Sequence, residues 1–173
     1  MEKADRLQRF DEICTALDLM ELADDASDTT MVLPSLLRGF EDKQITLALL
    51  AQASRADEKF SNKLAMSIVA SINAYQHVVD NLEDDDEHSK YGSLFIDAMT
   101  VGATVCTMWG HRAEAIKFLV NIIQANDVFE TGIPSSVLPP MTVLLDGLPE
   151  AIFRESLKIK TPYEILETEL SND

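Results

Sequence analysis

Basic side chains are scarce in this chain. Across 173 residues, 14 Lys and Arg stand against 30 Asp and Glu, a formal net charge of −16. A surface with so few cations, none of them clustered, repels nucleic acid and anionic membranes and disfavours direct binding to either. Aromatics are thin as well, at 6%, so the core has to be assembled mainly from Leu, Ile, Val, Ala and Met. No apolar run approaches the roughly 18 residues of a membrane span. The charged start Met1-Glu2-Lys3-Ala4-Asp5-Arg6 contains no apolar signal-peptide core, so no secretory signal is expected.

The motifs of common chemistries are missing too. Six scattered glycines, Gly39, Gly92, Gly102, Gly110, Gly132 and Gly147, form neither a dinucleotide-binding fingerprint nor a phosphate loop. The cysteines are Cys14 and Cys106; both sit in apolar helical patterns and read as buried free thiols of a cytoplasmic protein. His77, His88 and His111 are dispersed, and neither His-Glu-x-x-His nor the Glu-x-x-His of di-metal bundles occurs. The chain therefore reads as non-enzymatic, with no catalytic residues, no cofactor and no metal.

What the chain does have is unevenly placed acid. Residues 1–30 hold nine acids and three bases, 80–87 six acids and no base, and 126–173 nine acids and three bases. Each block carries −6, and the stretches between them are close to neutral. The run from Asp80 to His88 is the one candidate cation feature, with Asp84, Asp86 and His88 alternating. A calcium loop beginning at Asp84 would need Gly at its sixth position and Glu at its twelfth, where this chain has Ser89 and Phe95. Residues 83–91 are accordingly expected to form a solvated acidic loop.

Hydrophobic residues make up 46% of the chain and recur at spacings of three and four, which predicts helices throughout. A first helix is expected over 3–23, with Leu7, Phe10, Cys14, Leu17 and Leu22 on one side and Ile13 beside them. A short helix over 31–38 would stop at Gly39. Residues 41–54, with Ile45, Leu47, Leu49, Leu50 and Ala53, are dense enough in apolar side chains to be central. The longest element, 57–82, carries the stripe Phe60, Leu64, Ile68, Ile72, Tyr75, Val79 and Leu82, widened by Ala65 and Val69. A hairpin over 92–109 and 112–126 turns at Trp109-Gly110-His111. Residues 131–141 form a proline-rich connection. A helix over 149–158 and a last helix opened by Thr161-Pro162-Tyr163-Glu164, which has the residues of a capping box, complete the chain. The fold class is all-α: one helical domain over 1–173, of about seven to nine helices packed as antiparallel hairpins.

Within Phe95 to Asp127, Ala103, Gly110 and Ala115 fall where a tetratricopeptide-type helical hairpin places small residues and its turn. The segment resembles one such hairpin, over about 33 residues. Leu119, Ile122 and Asp127 depart from that repeat, which favours an aromatic, an alanine and a proline there, and no second copy appears at the repeat period. Any antiparallel helix pair in close backbone approach would need the same small residues. Trp109-Gly110, Ala113, Ala115 and Leu144-Leu145-Asp146-Gly147-Leu148-Pro149 also resemble the helical C-terminal part of an uncharacterised family of actinobacterial proteins, a likeness that implies a fold and no activity.

These features lead to an acidic protein-interaction module of the chaperone, immunity or adaptor type that binds a basic protein partner. The alternatives are an inhibitor whose carboxylates imitate a nucleic-acid backbone, and acidity that serves solubility alone. A homodimer through 41–54 or 133–145 is a further expectation. The residues expected to meet a partner are Asp84, Asp85, Asp86 and Glu87 of the acidic run, Trp109 at the hairpin turn, and Leu138 and Met141 of the proline-rich connection. Trp109 has a competing role as a plug for the core where the hairpin turns.

Overall fold

The computed structural model describes residues 2–20, 33–79, 81–129 and 150–168. Eight helices lie among them: α1 (Lys3–Leu19), α2 (Leu33–Phe40), α3 (Lys43–Arg55), α4 (Glu58–Val79), α5 (Asp85–Met108), α6 (Arg112–Phe129), α7 (Glu150–Ser156) and α8 (Pro162–Glu167). No strand occurs among the described residues. The all-α, single-domain expectation holds.

Aspartate begins several of these helices. Asp42 accepts hydrogen bonds from the backbone N–H groups of Gln44 and Ile45 at 2.9 and 3.2 Å, capping α3. Asp57 accepts from the N–H of Phe60 at 3.1 Å at the start of α4. Asp84 accepts from Asp86 and Glu87 at 2.8 and 3.2 Å at the start of α5. Each carboxylate satisfies donors that have no partner within the helix and sits at the positive end of its dipole. From Asp85 onward the acidic stretch 83–91 is therefore helix rather than loop. Asp85, Asp86 and Glu87 form the first turn of α5, since carboxylates that would oppose the end of α4 favour the beginning of the next helix.

The most enclosed element is α5. Leu94, Phe95, Ile96, Ala98, Met99, Val101, Ala103, Val105, Cys106 and Met108 are all buried, so the helix is apolar around most of its circumference. It packs against α2, α3, α4, α6 and α7. Its buried threonines place no orphan hydroxyl in the core: Thr100, Thr104 and Thr107 donate at 2.8 Å to the carbonyls of Ile96, Thr100 and Ala103. The stretch expected to be central, α3, is also lined by buried Ile45, Ala48, Leu49 and Ala53, but Leu47 faces outward at 50% exposure.

Other expectations shift at their edges. The first helix ends at Leu19, short of residue 23; Phe10, Ile13 and Leu17 form its buried seam, while Leu7 and Cys14 are partly covered. Leu22 lies outside the described residues. Gly39 does not stop the second helix, which runs on to Phe40. A Cβ at Gly39 would come within 2.6 Å of Ile13 Cδ1, so its small size serves close helix approach. The stripe of α4 buries Phe60, Leu64 and Ile68, but Val69 is 45% exposed and Leu82 falls beyond the helix end at Val79.

Polar bonds fasten the ends of the domain. Arg6 Nε meets Asp42 Oδ2 at 3.0 Å, both side chains largely buried, tying α1 to the cap of α3. Lys63 of α4 is 4% exposed and its Nζ donates to the Asp18 carbonyl at 3.1 Å, in the last turn of α1, where a cation suits the helix dipole. The capping box at Thr161 and Glu164 forms as expected, and its hydrogen bonds hold the Glu164 carboxyl below its ordinary pKa. Leu166 and Pro162 anchor α8 against the domain. Gln44 donates to the Thr168 carbonyl, Arg55 reaches the Lys158 carbonyl at 2.5 Å, and Tyr163 donates to Asp11 at 2.9 Å.

Candidate interaction surface

The α5–α6 hairpin turns through Trp109, Gly110 and His111, with Gly110 at φ 76°. Only glycine adopts that left-handed conformation without steric cost. His111 Nε2 lies 2.5 Å from Glu58 Oε1, fixing the turn to the start of α4. The two helices approach closely: Ala103 and Ala115 are fully buried, and a Cβ at Gly102 would stand 2.7 Å from the Phe118 ring. The small residues behind the hairpin resemblance therefore lie in the contact itself.

Inward-facing Ala115, Phe118 and Ile122 join α6 to α5. On another face Ile116, Val120 and Ile123 are 53%, 46% and 45% exposed. Their spacing of four and three places them along one line of the helix surface. Among the described residues, α5 is the element with which α6 shares an extended contact, so this apolar line has no helix packed over it. Sequence reading missed it, because all six apolar positions lie within one dense run and their period does not say which face meets α5. Lys117 and Glu114 are exposed near the turn end of α6, and Asn121 and Gln124 farther along.

The acidic residues Asp84, Asp85, Asp86 and Glu87 are all exposed. They occupy the end of α5 remote from the hairpin turn, the end toward which α6 runs. At about 1.5 Å per residue, α6 falls short of them by roughly two turns.

Trp109 is not beside that cluster. It stands at the opposite end of α5, about 36 Å away along the helix axis. It is partly buried against the core, and the Arg154 guanidinium of α7 lies 4.4 Å from its ring centroid. This placement corresponds to the core-plug role and brings Trp109 no closer to the acidic residues. Leu138 and Met141, with the whole 131–141 connection, lie outside the described residues.

Burial pushes the Cys14 thiol up to about 12, with Asp18 and Asp11 adding to the effect. It pushes Cys106 to about 11, with a contribution from Glu114. Both are free, and both stay protonated at neutral pH, a state unsuited to nucleophilic or metal-binding work. Among the described residues no three His, Cys, Asp or Glu side chains gather as a metal site, and no helix is long and apolar enough to cross a membrane. No protein-family model, curated protein or solved structure matches the chain.

Proposed function

We propose that this protein is a non-enzymatic interaction module, of the chaperone, immunity or adaptor type, that binds a basic protein partner. The observation that carries this reading is the line of Ile116, Val120 and Ile123 on α6, three aliphatic side chains about half exposed on a helix whose opposite face is firmly packed. Scattered exposed aliphatics are ordinary, but an aligned set on one helix is the form in which a helix face receives another chain. The net charge of −16 favours encounter with a cationic partner and disfavours anionic ones.

Affinity capture from native lysate, at low and high salt, tests the reading when wild type is compared with a variant carrying Ile116→Ser, Val120→Ser and Ile123→Ser. A stoichiometric basic protein held by wild type at low salt and absent from the variant is the expected result. Equal capture by both proteins, or capture of nothing by either, would refute it. Release of a nucleic-acid enzyme by competing DNA would instead identify a nucleic-acid mimic.

A further inference from the structure

We infer that two copies of this chain pair through the outer face of α4, antiparallel and about a twofold axis. The inference is independent of the interaction reading, which concerns α6. Outward-facing helices in a chain this acidic carry charge: α1 exposes Asp11, Glu12 and Asp18, and α6 exposes Glu114 and Lys117. The outer face of α4 does not. From Phe60 to Val79 the single Asp, Glu, Lys or Arg is Lys63, and it is 4% exposed, with its Nζ on the Asp18 carbonyl. Met66 and Val69 are instead 41% and 45% exposed, with Asn73 exposed and Asn62 half-buried on the same side. Absence of charge around an outward methionine is the composition of an interface core rather than of an ordinary wet helix face.

The order of these residues selects the occupant. Asn62, Met66, Val69 and Asn73 lie four, three and four residues apart, so they share one line of the helix surface. That spacing reads the same in both directions. Laid antiparallel on itself, the line sets Met66 against the second copy's Val69 and Asn62 against its Asn73. Apolar side chains then meet apolar ones, and each amide, both donor and acceptor, meets another amide. Such self-matching is what a twofold contact requires. A cationic partner finds no carboxylate on this line, whereas a second copy meets no like charge there. By contrast α3, expected from its sequence to self-associate, exposes only Leu47 among its large apolar side chains. The α4 line covers about 16 Å of helix. That is the small end of the interface range, so the dimer is weak, with a dissociation constant on the order of 10–100 µM.

Salt gives this dimer a distinctive signature. Two copies of net charge −16 repel at long range although their contact is uncharged, and added salt screens that repulsion. Salt therefore strengthens the dimer, while it weakens a complex drawn together by opposite charges. Sedimentation equilibrium of the full chain is the measurement, with circular dichroism to verify that each variant is folded. Wild type is expected to dimerise roughly threefold more tightly at about 0.5 M than at about 0.05 M NaCl. Met66→Lys and Val69→Asp are each expected to raise the dissociation constant by about tenfold or more. An equimolar mixture of these two variants is expected to recover dimer, because the new lysine of one chain faces the new aspartate of the other. The Ile116→Ser, Val120→Ser, Ile123→Ser variant is expected to dimerise as wild type does, so either reading can fail without the other.

A monomer at every concentration up to roughly 300 µM, several times the expected constant, overturns the inference. So does a dimer that neither single variant weakens, or one that salt dissociates. Two monomeric variants whose mixture stays monomeric refute the antiparallel register, and with it the twofold match. A dimer lost in the α6 serine variant would assign self-association to that helix instead. Dimerisation gained only after Leu138→Ser and Met141→Ser would assign the α4 line to the chain's own 130–149 stretch. A different protein, held by monomeric wild type and lost with Val69→Asp, would assign it to that protein. Each of these last three outcomes also overturns the inference.

Discussion

Replacing Gly102 with alanine sets two effects of opposite sign against each other. In an exposed helix interior the change would stabilise by about 1 kcal/mol, because alanine loses less backbone entropy. Here the new methyl meets Phe118 Cε1 and Cζ at 2.7 Å and Cδ1 at 3.0 Å. Ordinary contact begins at 3.4 Å, so the ring edge must retreat by roughly 0.7 Å. Phe118 is only 8% exposed, and three ring atoms are involved rather than one flexible end. Overpacking of this kind costs roughly 1–3 kcal/mol, and exceeds the propensity gain when the ring cannot yield. The expected net loss for Gly102→Ala is about 1 kcal/mol, with Tm lowered by about 2–4 °C for a chain of this length. Urea unfolding of Gly102→Ala, Phe118→Leu and the double variant supplies the measurement. Leucine removes the ring edge, so the double variant should be more stable than the sum of the single losses implies, by about 0.5–1 kcal/mol. A Gly102→Ala protein as stable as wild type, with additive single losses, would refute the idea that close backbone approach sets the geometry of this hairpin.

Asp42→Ala removes both the α3 cap and the partner of Arg6, and should cost about 2–4 kcal/mol in urea unfolding; Asp42→Asn, which keeps a capping oxygen and loses only the charge, should cost less, and equal losses would show that the cap contributes nothing. At Gly110 no atom lies within 4 Å of the place a methyl would take, so Gly110→Ala should cost only the left-handed backbone penalty of about 1–2 kcal/mol, with Gly110→Asn milder than Gly110→Val. For Cys14 the folded thiol ionises near 12 against an ordinary value of 9.0. The proton is thus lost more readily from the unfolded chain: the contribution is intact below about pH 9 and disappears as pH rises toward 12. Thermal melts of wild type should fall more steeply across that alkaline window than those of Cys14→Ala, and parallel curves would count against the burial of the thiol.

Some of this architecture was determined by sequence alone, because it is local. The Thr161–Glu164 box is written in four consecutive residues, and the turn at Gly110 follows from a glycine between two periodic helical runs; neither requires knowledge of a distant residue. The stripe Phe60, Leu64 and Ile68 was equally legible, since a helix with one wet face shows its period. The acidic run was misread as a loop because its composition states only that it avoids the end of α4. Whether it then stays irregular or begins α5 depends on Asp84 finding the N–H groups of Asp86 and Glu87. Gly39 illustrates the same limit: a glycine that ends a helix and one that admits Ile13 look alike in sequence.

Tertiary structure alone decided which apolar residues of α6 are committed to the core. Ala115, Phe118 and Ile122 are buried while Ile116, Val120 and Ile123 remain exposed, although all six are chemically suited to either role. The choice depends on how α5, with Gly102 facing Phe118, orients its neighbour, a relation between elements that no local period encodes. Tertiary structure also separated Trp109 from Asp84–Glu87 by the length of α5. Composition fixed the sign of the charge; packing fixed which apolar side chains stay exposed.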